Sequence, residues 1–567
     1  MKTKFILTLL AAAPSLVFAE SDYEAVVDDS VVGYWRFNDP NDYGKDASGH
    51  GSGITEMTDS AAGGPVAEST DWARGGGCLE LPRTGSKSNY GYHSAVATVT
   101  SGKGFSMSRT SPGWTVATWV RGSQELVDSL KNAEWAVGDA AKFKNALKDG
   151  KWHPLVIVYR ANNSSDFYRV YVDGFDSWTV TDITAGGTDS KGNPAWHIPL
   201  SVSSGAFPND TVTLGGDIGG TVDLPILGKK TINATFFGGL DDCIIIDREL
   251  KGGNQTDKDK GEPNYTNDEV FRWVQTGETF VYSKGSSGNM FYETGSWSNN
   301  KVPQAGLAYM IENGCEVKSS KTATFAGRSL SVGRTEKLYG IKSVGGAKEV
   351  VVDNTAGKLT QVTANTTMTV DDLVLNDGTL TSSAGGQRLV ANIRVRAAAS
   401  NPFQISVSNG TYAVSGTMTG AGSISKIGQG TLDLSGLTES TAKVSLSEGS
   451  LRLSAVNPTL SGYTGGTLLI DFDEDSGSVA TVALDSAWTG ALSFMLNGTP
   501  SGFARYAVLT VPTSVKQVTA ADFDNKTVSA NGMTVRTKIV TDGSIQTVYV
   551  ESIPSADAAG SPVLGFE

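Results

Sequence analysis

The chain is expected to be all-β: an antiparallel β-sandwich, then a stack of short strands closing in a small β cap. Three observations predict this. Glycine is very frequent, at 67 of 567 residues, and only 19% of residues are charged, a composition that suits strands and turns. In the first half, apolar and alternating runs with aromatic residues follow one another without helical crossovers, as in antiparallel sandwiches. In the second half the apolar runs are too short and too exposed to fold alone, so they must bury one another's faces by stacking. A chain this long exceeds one core, and two to four domains are expected.

In chain order, residues 1–19 carry Lys2 and Lys4, an apolar run and Val17-Phe18-Ala19, the pattern of a secretory signal. The apolar run is shorter than the ~20 residues a spanning helix needs. Residues 31–37 (VVGYWRF) read as a strand, 46–51 (DASGHG) as a tight polar loop, and 76–81 (GGCLEL) and 114–121 (WTVATWVR) as strands. Residues 155–159 (LVIVY) form an unbroken β-branched run, expected to be buried on both faces. Asn162, Asn163, Ser164 and Ser165 then turn the chain into the alternating run 167–172, so the pair reads as a hairpin ending at Asp173-Gly174. Residues 211–214 and 236–246 (FFGGLDDCIII) are further strands. The run 266–269 (TNDE) is a capping box opening a short helix over 269–274, which Gly277 is placed to stop.

The order GYWRF, DASGHG, GGCLEL, WTVATWVR, KWHPLVIVY, YVDG and GGLDDCIIIDREL resembles the laminin-G-like, concanavalin A-like jelly roll over about residues 25–276. The resemblance implies two curved antiparallel sheets and a structural calcium ion. It places the DASG loop near the LDD pair, with Asp46, Asp241 and Asp242 as side-chain candidates and backbone from Gly49 or His50. The other reading makes Asp46 the cap of an Asx turn and Asp242 an ordinary strand-edge carboxylate. Cys78 and Cys243 could form a bridge within this domain; alternatively Cys78, Cys243 and Cys315 are three buried thiols. Tyr90, Tyr92, Trp178 and Trp196 lie in long loops, where aromatic faces can stack on sugar rings, or else they cover core edges.

Beyond residue 277, short apolar runs recur between Gly, Asn, Asp, Ser and Thr, and WSNNKVP (297–303) introduces the new region. The clearest repeat spans 414–454. Its inward candidates are Ile424, Ile427, Leu432, Leu434, Leu446, Leu451 and Leu453. Its segment SISKIGQGTLDLSG resembles the autotransporter-associated β-strand repeat, which implies a right-handed β-helix-like solenoid. No run of amphipathic barrel strands follows it. Asp371-Asp372 reads as a rung edge, and 471–477 (DFDEDSG) as a hairpin turn: it lacks the glycine of a calcium loop and has Val482 where the bidentate Glu should be. The expected organisation is a signal peptide at 1–19, a sandwich at 20–276, a solenoid at 277–500, a cap at 501–555 and a tail at 556–567.

The formal net charge of −13 argues against nucleic-acid or anionic-membrane partners, which need clustered Lys and Arg. The four histidines are scattered without metal-ligand spacing. Neither paired glycosidase carboxylates in Glu-x-Asp-x-x-Glu nor a Gly-x-Ser-x-Gly elbow occurs. The expectation is a secreted or cell-surface binding protein without enzymatic activity, directed at a glycan or a surface protein. The alternatives are a purely structural surface protein and a polysaccharide-degrading enzyme.

Overall fold

The structure is a computed structural model. It describes residues 29–554, apart from short breaks and the longer stretches 58–65, 101–112, 136–146, 160–167, 181–199, 204–210, 252–268 and 524–532. The signal segment, the loop residues Asn162–Ser165, Asp173-Gly174, the Thr266–Asp268 part of the capping box and the tail lie outside the described residues. The chain divides into two compact units, Met1–Phe280 and Val281–Glu567. Almost every described element is a strand. No helix among the described residues is long and apolar enough to cross a membrane.

The first unit is built on an antiparallel sheet of eight strands. In spatial order these are Asp176–Val180, Tyr168–Val172, His153–Tyr159, Trp114–Gly122, Gly238–Ile246, Cys78–Leu81 and Val66–Glu68, with Val31–Trp35 also paired to Gly238–Ile246. The central His153–Tyr159 strand is buried at all seven positions, as its unbroken apolar run requires. Its hairpin partner runs in register from Leu155 opposite Val172 to Tyr159 opposite Tyr168. A second antiparallel sheet joins Leu200–Ser203, Thr211–Leu214, Val96–Thr100 and Gly53–Met57.

The helix Glu269–Thr276 covers one face of the large sheet. Its Val270, Trp273 and Val274 pack with Ala117, Val156, Val158, Tyr171, Ile244 and Ile246. These six sheet residues share one face because the pairing sets Val156 opposite both Ala117 and Tyr171, and Ala117 opposite Ile244. Gly277 takes a positive φ of 75° and donates its N–H to the Trp273 carbonyl at 2.7 Å, which ends the helix. Glu269 accepts the Lys251 backbone N–H at 2.9 Å and the Arg248 guanidinium at 2.8 Å.

The second unit is a β-solenoid. Two sheets, of twelve and eleven strands, are parallel through most of their length, and the chain alternates between them. Thr367–Leu375 slips register against Gln387–Val395 at Val370/Asp372, and Thr431–Ser440 slips against Thr411–Thr419 at Ala413/Ser415 and Gly416/Thr417, whereas Gln387–Val395 and Thr411–Thr419 pair in unbroken register. Side chains of successive rungs stack in columns, such as Val317, Leu359, Leu380, Ile405, Lys426 and Leu446. Ile424, Leu432, Leu434, Leu446, Leu451 and Leu453 are buried as predicted. Ile427 is a correction: it is half-buried, and Lys426 points inward instead. Strand alternation puts residues 424 and 426 on one side, and the spacing of three from Ile424 to Ile427 does not fit it. One end of the core is an aromatic cluster in which Trp297 meets Tyr309 edge-on at 4.8 Å, beside Phe291 and Phe325. At the other, Ala504–Pro512 joins the solenoid and continues antiparallel into Ile545–Pro554 and Met533–Asp542, the cap.

Candidate functional site

The sequence candidates converge on the first strand. Val31–Trp35 is followed by the polar loop, and Asp46 returns to form a β-bridge with Trp35. The half-buried Asp46 carboxylate is the centre of that loop. Its Oδ1 accepts the backbone N–H of Tyr34 and of Ser48, both at 2.9 Å. Its Oδ2 accepts the Ser48 hydroxyl at 2.7 Å and the Ser52 N–H at 2.9 Å. Burial pushes the Asp46 pKa up, but the bonds from Ser48, Tyr34 and Ser52 outweigh it and hold the carboxyl below its ordinary value. Ser52 in turn donates its hydroxyl to the Val32 carbonyl at 2.8 Å. Gly49, with φ 78°, supplies the turn.

Asp241 and Asp242 sit on the paired strand, at a bulge. Asp241 lies opposite Trp119 but Ile244 lies opposite Ala117, so one residue is extra there. Asp242 has φ 46°, a left-handed conformation that Asp tolerates better than most residues. Both carboxylates are buried. Asp242 Oδ1 accepts the Tyr34 hydroxyl at 3.1 Å. Asp241 accepts the Asp242 N–H at 2.7 Å and the Ala73 N–H at 2.9 Å. The Thr118 hydroxyl donates to the Asp241 carbonyl at 3.0 Å. Tyr34 thus connects the two candidate regions, giving its N–H to Asp46 and its hydroxyl to Asp242.

Calcium takes six to eight oxygen ligands. A carboxylate has about four lone-pair sites, and those of Asp46 face four protein donors. Among the described residues, no group of three or more His, Cys, Asp or Glu is gathered in a way that could hold a metal ion. The arrangement of the Asp46 loop does not fit a calcium ion.

Cys78, Cys243 and Cys315 are buried thiols. The strand register sets Leu79 opposite Leu240 and Trp35 opposite Cys243, so Cys78 and Cys243 are not cross-strand partners and no bridge joins them. Burial, and secondarily the Asp242 carboxylate, push the Cys243 thiol pKa up and keep it protonated. Two of the aromatic candidates expected in loops are on strands instead, because their short runs pair with neighbours: Tyr92 on Gly91–Ser94, which pairs with Arg83–Ser88, and Trp178 on the edge strand Asp176–Val180, opposite Val170. Tyr90 and Trp196 lie outside the described residues.

In the solenoid, charged groups are tied into the ladder. Asp372 pairs with Arg394 of the adjacent rung, and Arg452 reaches Asp471 at 2.7 Å and Asp433 at 3.1 Å. Asp471 belongs to a hairpin in which Phe472 faces Val479, and Val482 is buried. Three internal charges had no sequence signal beyond their residue type. Arg334 and Glu312 form a buried ion pair at 2.7 Å. The Lys426 ammonium donates to the carbonyls of Ile427 at 2.9 Å, Gly428 at 2.6 Å and Glu448 at 3.0 Å. Burial lowers the Lys426 pKa to about 8, against a smaller upward pull from the Glu448 carboxylate.

No family model matches the chain, and no curated protein does. Among solved structures it is similar to the binding domain of botulinum neurotoxin DC in complex with rat synaptotagmin II. The two are 15% identical over 46% of this chain and 55% of that one, with a TM-score of 0.22. A botulinum neurotoxin type C structure, described by its dependence on two ganglioside molecules for cell entry, gives 15% identity, 47% and 56% coverage and a TM-score of 0.22. The chain spans about half the length of these structures. At such scores the likeness does not extend to a shared arrangement, and what those proteins bind remains a statement about them.

Proposed function

We propose that this chain is an exported, non-enzymatic binding protein of the cell surface or its surroundings. In this reading the sandwich recognises a glycan or a surface protein, as its resemblance to laminin-G-like domains implies. The solenoid, akin to autotransporter-associated repeats, supplies length and stiffness. The observation that carries the reading is the use made of the acidic candidates. Asp46, Asp241 and Asp242 each hold backbone or tyrosine donors at the first strand and its bulge, a structural employment rather than an acid–base pair. The expected ligand surface is therefore the sandwich rim, with Tyr90, Tyr92, Trp178 and Trp196 as its aromatic candidates. A purely structural surface protein is the second reading, favoured by the inter-rung ion pairs of Arg394 and Arg452.

A glycan array probed with the full-length chain decides between them. Saturable binding to a defined set of glycans is expected. Binding to no glycan and to no extracellular matrix protein would leave the structural reading. Release of reducing ends or unsaturated sugars from polysaccharides would overturn the non-enzymatic assignment.

A further inference from the structure

We propose that the first unit closes its leading strand with a metal-free clamp, in which Asp46 is a hydrogen-bond anchor and not a calcium ligand. The jelly-roll resemblance implies an ion at this loop, and the geometry disagrees. Two donors converge on each Asp46 oxygen: Tyr34 N–H and Ser48 N–H on Oδ1, Ser48 hydroxyl and Ser52 N–H on Oδ2. An N–H or O–H pointing at a lone pair excludes a cation from the same direction, because its positive hydrogen would face the ion. These donors do what a cation would do, neutralising the carboxylate and tying the loop to the strand. The clamp also reaches the neighbouring strand. Tyr34 donates its N–H to Asp46 and its hydroxyl to the bulged Asp242, and the Ala47 N–H returns to the Tyr34 carbonyl at 2.7 Å. The loop, first strand and bulge are thereby linked through one tyrosine.

The test is thermal unfolding of the full-length chain in excess chelator and in millimolar calcium, for the wild type and for Asp46→Asn and Ser48→Ala. The wild type is expected to melt at the same temperature in both media. Both variants should melt about 3–6 °C lower, equally in chelator and calcium. A chelator effect that Asp46→Asn leaves at full size would place an ion elsewhere and still support the anchor role. A chelator effect in the wild type that Asp46→Asn abolishes would overturn the proposal. Ser48→Ala keeps the carboxylate intact, so calcium-dependent melting of that variant, if absent in Asp46→Asn, would overturn it as well.

Discussion

Lys426 shows what a single side chain does inside a solenoid column. It stacks between Ile405 and Leu446, where every other member of its column is a branched apolar residue. A lone buried ammonium is costly, but three carbonyls from its own turn and from Glu448 one rung on receive its protons. The unfolded lysine titrates near ~10.4, and the folded one at about 8. Between those values the unfolded chain binds more protons, so this residue makes stability rise with pH across the window and contributes no slope below it. The melting temperature of the second unit should therefore climb between pH 8 and 10 more steeply in the wild type than in Lys426→Met. Parallel profiles for the two proteins would refute the assignment. Hydrophobicity alone favours Ile427 for this inward place, whereas strand alternation from Ile424 gives it to Lys426. The carbonyls that accept Lys426 come together only when successive turns stack.

At the scale of elements, the turns and bulges carry the constraint. Gly333 has φ 75°, and a Cβ there would stand 1.6 Å from the Asp377 carbonyl oxygen of the neighbouring turn. Gly490 has a similar φ of 82° but nothing within 4 Å of the corresponding position. Gly333→Ala should thus cost about 3 kcal/mol or more, and Gly490→Ala about 1 kcal/mol, read by chemical denaturation. Equal costs would show that the backbone angle alone governs these corners. The strands themselves were legible because a fully buried strand must be continuously apolar, as at His153–Tyr159. The short helix was legible from Glu269 and Gly277. The bulge at Asp242 was not, since nothing in Leu-Asp-Asp-Cys distinguishes a left-handed Asp from an extended one.

For the molecule as a whole, two units with separate hydrophobic cores predict two heat-absorption transitions in calorimetry of the full chain. A single transition whose calorimetric and van't Hoff enthalpies agree would contradict that. What the sequence determined by itself is the all-β class, the antiparallel first half and the stacked second half, because turn residues and apolar periodicity are local and survive without knowledge of neighbours. The tertiary structure alone decided how the acidic candidates are used. Asp46 and Asp242 are far apart in the chain and meet on Tyr34, and the lone pairs of Asp46 are filled by donors from three residues whose convergence depends on loop geometry. The same holds for Lys426 and for the Arg334–Glu312 pair. Whether a charged side chain is a ligand, an anchor or a core member depends on which donors and acceptors surround it, and those are set by contacts between rungs and strands.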